Sequence, residues 1–212
     1  MMQFGDDLVS LGVSIFLLGA YHYYLKRQVR RNPTYTIQAV NNIVRTAWVE
    51  GIMANSKDIL AIQTLRNSTM AATFLASTAV LLILGTLTLS GQGDKLTTTW
   101  HGLNLAGTTA PELWMIKLLL LVVDFFVAFF SFSMSIRSFN HIGYMINIPA
   151  TLKDYLTPQR VAAHLNRAGR FYSTGMRAYY FSVPLVFWLF GPHLMVLATA
   201  GLIMALYRLD RA

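Results

Sequence analysis

The sequence of 212 residues contains no cysteine, which excludes disulfide bonds, thiolate catalysis and cysteine metal sites. Charge is also scarce, because only 12% of the residues are Asp, Glu, Lys or Arg, against about 25% in an average soluble domain. The chain further lacks a glycine-rich phosphate loop, a nucleophile elbow, a zinc-protease motif and any paired-carboxylate arrangement. We therefore expect neither an enzyme nor a bound cofactor.

Apolar residues dominate what is present: they make up 55% of the chain, and the mean hydropathy is +0.48. Several apolar runs approach or exceed the roughly 20 residues that cross a bilayer as a helix. The sequence predicts an all-α membrane protein that forms a single membrane domain over residues 1–212. The four transmembrane helices are expected at about 8–25, 69–90, 112–136 and 179–207.

The formal net charge of +8 has an explanation that does not involve nucleic acid. Thirteen of the seventeen Lys and Arg residues fall within 26–68 and 137–177. Basic residues mark the cytoplasmic side of a membrane protein, so both segments are expected there as one helical layer. With four spans, both termini are then expected outside. The partner that this composition predicts is membrane lipid.

Each cytoplasmic segment contains an amphipathic helical pattern. The first helix follows the break at Asn32-Pro33, and the second is predicted to begin at Thr157-Pro158, a capping residue followed by an N1 proline. The first apolar stripe suits either the membrane surface or the projecting end of a transmembrane helix. We favour the second, because the helix is less basic than typical surface-binding helices. Its stripe consists of Ile37, Val40, Val44, Ala47, Trp48 and Ile52.

The stretch from Asp58 to Gly91 is the most informative single element. As one helix of about 32 residues it would be roughly 48 Å long, beyond a hydrocarbon core of about 30 Å. Its first turns should therefore project into the cytoplasmic layer. Its uncharged part carries two ridges of small residues that predict a helix–helix interface. The ridges are Ser68, Ala72 and Ala76, and beside them Thr69, Thr73 and Ser77.

A polar collar, Gln63, Arg66 and Asn67, lies where this helix meets the inner membrane surface. The collar could bind an anion or lipid phosphate, or line the inner mouth of a pore. Alternatively, its side chains could hold the cytoplasmic helices onto the span through hydrogen bonds. We favour the structural role.

The third span carries a polar stripe, Lys117, Asp124, Ser131 and Ser135, within a sector of about 40°. An ionisable residue at membrane depth is costly, so Asp124 should face protein or a water-filled cavity. The stripe could line an ion or proton pathway. It could also be an interhelical seam, with Asp124 bonded for example to Lys117 of a neighbour or to Thr and Ser of another span. We favour the seam, because one carboxylate is few for a proton relay.

Three further features complete the expectations. Residues 90–110 are predicted to form an outer loop, and Thr109 and Glu112 have the spacing of a capping box at the start of the third span. The last span should be kinked at Pro184 and at Gly191-Pro192. None of the five histidines has the spacing of a metal site; they are His22, His101, His141, His164 and His193.

The chain resembles the family grouped as domain of unknown function 599, which comprises plant and bacterial proteins. The similarity covers nearly the whole chain and centres on the segment from Gln63 to Asn67. It also includes Tyr21-His22 with Leu25, Thr36-Ile37, Trp48-Val49, Ile59-Leu60-Ala61, Ser135-Ile136-Arg137, Phe190-Gly191-Pro192 and Leu209-Asp210. The resemblance implies a four-helix membrane protein without an established activity or catalytic residues. We expect a multi-pass protein of a bacterial inner (plasma) membrane.

Two functions are compatible with this sequence. The first is a homo-oligomer that forms an ion or small-solute pathway, since four spans alone can hardly enclose one. Arg45, Arg66, Arg137 and Arg177 could then form a basic cytoplasmic vestibule. The second is a non-conducting scaffold that binds a membrane protein partner through its cytoplasmic helices. An enzyme that acts on lipid headgroups through His141 or His164 is a weaker third hypothesis.

Overall fold

The computed structural model describes residues 2–55, 58–91, 111–148 and 156–211, and within these ranges the chain forms six helices. Most of the predicted loop over 90–110, with Thr109, lies outside the described residues. The predicted all-α class is confirmed. The helices are α1 (Met2–Arg31), α2 (Ile37–Asn55), α3 (Asp58–Ser90), α4 (Pro111–Ile146), α5 (Pro158–Phe190) and α6 (Pro192–Leu209).

Four of these helices contain segments long and apolar enough to cross a membrane, which indicates a multi-pass membrane protein. They are Gly5–Arg31, Asp58–Ser90, Glu112–Ile146 and Pro192–Leu209. α1, α3 and α4 extend beyond the predicted spans at one or both ends. In each case the helix continues past its apolar segment into neighbouring polar residues. The start of α5 matches its prediction: the Thr157 hydroxyl accepts a hydrogen bond from the amide of Arg160 (3.4 Å), and Pro158 follows the cap.

The helices pack in the spatial order α3, α4, α5, α6, α1, and α2 lies mainly against α5. We call the end of this bundle that holds α2 and the start of α3 the basic end. There, α2, α3, α4 and α5 share a hydrophobic cluster that includes Val49, Leu65, Ile142 and Val161. A second cluster farther along the bundle joins α3, α4 and α5 through small residues and Phe132.

The buried face of α2 differs from the predicted stripe. Val49 and Ile52 are buried, whereas Ile37 and Val44 are 43% and 56% exposed. The helix turns this face toward α5 and makes little contact with α3. Periodicity identifies the apolar positions of a helix, but the position of its neighbours decides which of them are covered.

The predicted last span, residues 179–207, is not one kinked helix. α5 ends at Phe190, α6 begins at Pro192, and the chain reverses between them. Arg177 before the turn contacts Asp210 after it, with 3.4 Å between Nη2 and Oδ1. Gly191 permits the reversal with φ 154° and ψ 155°, a backbone region that is essentially open only to glycine. Pro192 then starts α6 at the N1 position, where its missing amide hydrogen is not needed.

The reversal also places the two described ends of the chain at opposite ends of the bundle, whereas four spans were expected to leave both termini outside. α1 and α6 run parallel, since Ser14 bonds Thr199 (3.1 Å) and the Tyr21 hydroxyl donates to Asp210 Oδ2 (2.9 Å). The end of α1 near the N-terminus is therefore at one end of the bundle, and Asp210 is at the other, basic end. Arg208, which the predicted topology placed outside, joins the other basic residues there.

Single-cysteine labelling should detect this arrangement against the cysteine-free background of the chain. In sealed vesicles, an impermeant maleimide should distinguish Asp6→Cys from Arg208→Cys, because the two positions lie at opposite ends of the bundle. Arg30→Cys, at the end of α1, should behave like Arg208→Cys. Equal labelling of Asp6→Cys and Arg208→Cys from one side of an intact membrane would contradict the reversal at Gly191.

Candidate functional site

A buried ion pair joins α1 to α4 at the end of the bundle opposite the basic end. Lys117 Nζ lies 2.8 Å from Asp7 Oδ1, and the two side chains are 5% and 1% exposed. Lys117 also donates to the Trp188 carbonyl (3.1 Å), while the Trp188 indole donates to Asp7 Oδ1 (2.8 Å). The ammonium lies 5.1 Å from the centre of the Trp188 ring. These three residues bind α1, α4 and α5 into one unit.

The ion pair changes the interpretation of the polar stripe. Lys117 finds its counter-charge within the protomer, in Asp7, and is therefore not free to bond Asp124 of a neighbouring subunit as the sequence suggested. The N-terminus was expected outside the membrane, yet its Asp7 side chain is fully buried in the protein. Sequence reasoning missed both Asp7 and Trp188. The only available signal was an acidic residue at the beginning of an apolar run.

The inner part of the stripe also points into the protein. The Ser135 hydroxyl is fully buried and donates to the carbonyl of Ala168 in α5 (3.0 Å). Ser131, one turn earlier, is buried as well. Lys117, Ser131 and Ser135 thus belong to the α4 face that is covered within the protomer.

Asp124 differs from the rest of the stripe. Its Oδ2 atom is buried and has no hydrogen-bond partner among the described residues, while the side chain as a whole is half-buried. Leu121 and Ala128, one turn before and after it, are buried. An unpartnered carboxyl group at membrane depth is costly and is commonly associated with function.

The polar collar does not fasten the helices of the basic end to one another by hydrogen bonds. Gln63, Arg66 and Asn67 are exposed, and in the described part of the chain none of them makes a hydrogen bond to another helix. Within the described residues the collar therefore makes none of the hydrogen bonds that the structural role would require. The reason is that α2 packs against α5 and leaves a cavity beside α3, which Asn67 lines.

The two small-residue ridges of α3 have different surroundings. Ala72 and Ala76 are buried, Ser68 is half-buried, and Ala76 packs in the cluster with Ala128 and Phe132 of α4. In the second ridge, Thr69 is half-buried, whereas Thr73 and Ser77 are exposed. The Thr73 hydroxyl is bonded within its own helix, to the Thr69 carbonyl (2.9 Å). The second ridge is therefore open to lipid or to another chain.

A polar cluster fastens the C-terminus at the basic end. Arg177 Nη1 donates to His22 Nε2 (2.9 Å), and His22 Nδ1 lies 2.9 Å from the Leu18 carbonyl. This geometry fits a neutral imidazole that donates from Nδ1 and accepts at Nε2. Arg177 and Tyr21 both bond Asp210. Two of the segments that carry the sequence resemblance, Tyr21-His22 and Leu209-Asp210, therefore meet in space.

The four arginines expected to form one vestibule are divided in the protomer. Arg45 and Arg177 line a cavity of about 380 Å³ between α2, α5 and α6. Arg137 lies in a separate groove of about 460 Å³ with His141, His164 and Arg167. Arg66 is exposed on α3. Within the described ranges, no three His, Asp or Glu residues are grouped so that they could hold a metal ion.

Comparison with known proteins identifies the family. Residues 9–212 match the family model described as "Protein of unknown function, DUF599". No curated protein and no solved structure matches the chain. The match extends over nearly the whole chain, including the Tyr21-His22 and Asp210 cluster and the turn at Gly191-Pro192. The chain therefore belongs to the DUF599 family of proteins of unknown function.

Proposed function

We propose that this integral membrane protein assembles as a homo-oligomer and forms a pathway for an ion or small solute, with Asp124 at the boundary between subunits. The observation that supports this proposal is the buried, unpartnered Oδ2 atom of Asp124. A second subunit, an ion or ordered water beside α4 would supply the missing partner. The proposal includes no enzymatic activity.

The packing of the protomer explains why the pathway requires more than one subunit. Along α4, Lys117 and Ser135 are already bonded to other helices. Phe132, between these two residues along α4, is fully buried, and its ring lies directly against Gly175 of α5. A continuous channel along the stripe is therefore closed inside one protomer. The exposed ridge of Thr73 and Ser77 offers a surface through which two copies could approach closely.

The basic end would provide the cytoplasmic entrance. Positive residues on this side follow the positive-inside rule. The cavity with Arg45 and Arg177 and the groove with Arg137 carry positive charge that would concentrate anions near the membrane. In an oligomer, several copies of this cavity and this groove would surround the entrance and form the basic vestibule.

Flux measurements on reconstituted protein test the proposal directly. The wild-type protein should conduct a cation, an anion or protons into liposomes, and Asp124→Asn should lose most of that flux. The matched control is Asp58→Asn, which removes an exposed carboxylate at the start of α3 and should conduct normally. Light scattering should show the same oligomer for all three proteins. An intact wild-type oligomer without flux, or undiminished flux through Asp124→Asn, would contradict the pathway.

A non-conducting scaffold remains the second candidate because apolar side chains are exposed on the cytoplasmic helices. Ile43 and Val44 of α2 are 55% and 56% exposed, and Ile59 at the start of α3 is 75% exposed. Such residues are suited to a partner protein. Gentle purification from native membranes separates the two candidates. A stoichiometric foreign subunit that is lost with Ile43→Lys would support the scaffold, and a symmetric self-assembly would support the pathway.

A further inference from the structure

Arg45 of α2 lies in an unusual position against the backbone of α5. A Cβ atom added to Gly169 would lie 2.3 Å from Arg45 Nη1 and 2.5 Å from Cζ. The guanidinium group can therefore occupy this place only because residue 169 is glycine. Because the Arg45 guanidinium group lies so close to Gly169, one of its faces is covered by α5. The Arg45 side chain is half-buried between α2 and α5.

The guanidinium group of Arg45 has no hydrogen bond and no ion pair among the described residues. Burial lowers the pKa of Arg45 from its ordinary value, yet an arginine side chain stays charged in proteins. A buried, unpaired charge is unfavourable. Of the residues that line the two cavities beside Arg45, only Asp210 is acidic, and it is already bonded to Tyr21 and Arg177. The positive charge of Arg45 is therefore not compensated by any of the described residues.

The larger of these two cavities, about 500 Å³, lies between α2 and α3. It reaches from Trp48 and Thr64 to Ala71, which belongs to the uncharged part of α3. Apart from Arg45, none of the described residues that line it is charged. One charged group at the side of a mainly apolar space fits a ligand with an anionic head and an apolar chain. Its apolar walls are mainly Val44, Trp48, Leu65, Ala71, Phe139 and Leu165.

We propose that Arg45 binds the phosphate group of an anionic membrane lipid, whose apolar chain occupies the cavity between α2 and α3. Arginine is well suited to this role, because its planar group can donate two parallel hydrogen bonds to phosphate oxygens. Basic pockets between helices at the membrane surface bind lipid headgroups in the same way. Asn67 and Ser68, which line the same cavity, add polar groups near the head. The site requires no pathway, so it can be tested apart from the proposed function.

Native mass spectrometry of the full-length protein in detergent tests this site. The probes are short-chain phosphatidylglycerol, short-chain phosphatidylcholine and, by calorimetry, inorganic phosphate. The wild-type protein should bind phosphatidylglycerol in preference to phosphatidylcholine. Arg45→Gln should weaken phosphatidylglycerol binding by roughly tenfold or more, the effect of losing hydrogen bonds to a charged group. Arg66→Gln is the matched control and should bind normally, because Arg66 is exposed and lies outside the cavity lining.

A second variant keeps the test valid if Arg45→Gln folds poorly. Ala71→Phe would fill the part of the cavity that the apolar chain of the lipid is proposed to occupy. Residue 71 lies on an exposed face of α3, so the larger side chain should still allow the protein to fold. This variant should lose phosphatidylglycerol while it retains Arg45. If inorganic phosphate binds as tightly as the lipid and Ala71→Phe has no effect, the lipid assignment is overturned in favour of a soluble phosphate. Equal binding of both lipids, or an equal loss in Arg66→Gln and Arg45→Gln, would overturn the site at Arg45.

Discussion

Replacing Lys117 with methionine is expected to lower the free energy of unfolding by about 3–5 kcal/mol, the cost of breaking a buried ion pair from one side. Asp7 would remain buried at 1% side-chain exposure, without the ammonium group that now lies 2.8 Å away. Water cannot replace the lost partner in this interior. Reversible unfolding in detergent or bicelles, followed by circular dichroism, measures the change.

A double variant separates the charge effect from the packing effect. Lys117→Met with Asp7→Asn removes both charges and retains an oxygen that can accept the Trp188 indole hydrogen bond. It should recover most of the lost stability, because a neutral pair has no desolvation penalty of this size. Lys26→Met, at an exposed position of α1, should change stability by no more than about 0.5 kcal/mol. If Lys117→Met changes the free energy of unfolding as little as Lys26→Met does, the ion pair contributes little to the stability of the fold.

The second large effect is expected at the contact between Gly175 and Phe132. A Cβ atom at position 175 would lie 2.8 Å from Phe132 Cε1 and Cζ, closer than such atoms approach in proteins. The ring cannot easily move, because it is fully buried and packs against Tyr172 and Tyr179. Gly175→Ala should therefore destabilise the protein by about 1–3 kcal/mol through overpacking. Helix association in lipid depends on close packing, so no hydrophobic gain offsets this loss.

The same substitution at another helical glycine provides the control. Gly201 of α6 has open space where a Cβ atom would be added. Gly201→Ala should be neutral or stabilising by up to about 1 kcal/mol, because alanine has the higher helix propensity. Combining Gly175→Ala with Phe132→Leu should restore part of the stability, since the smaller side chain makes room for the methyl group. Equal stability of Gly175→Ala and Gly201→Ala in detergent unfolding would show that the contact is not tight.

Local chemistry accounts for the parts of the fold that were predictable. Long uncharged runs predicted apolar helices because a bilayer requires about 20 such residues in a row. Thr157 and Pro158 predicted the start of α5 because capping depends on only four consecutive residues. The segments that resemble the DUF599 family were also sufficient to assign the chain to it.

The partners of the candidate site residues were less predictable. Lys117 and Asp124 lie on one face of α4, which suggested that they serve one purpose. In the structure, Lys117 bonds Asp7 from another helix, while Asp124 has no partner among the described residues. Periodicity places residues on a face, but their partners come from segments that are far away in the sequence.

The sequence by itself determined that the chain is helical, that four of its segments are apolar enough to span a membrane, and that the chain belongs to the DUF599 family. These properties follow from composition and from patterns within about twenty neighbouring residues. Only the tertiary structure decided that the chain reverses at Gly191, that Asp7 neutralises Lys117, and that Arg45 has no partner among the described residues. A glycine–proline pair permits a kink or a reversal equally well. The contact between Arg177 and Asp210, 33 residues apart, selects the reversal.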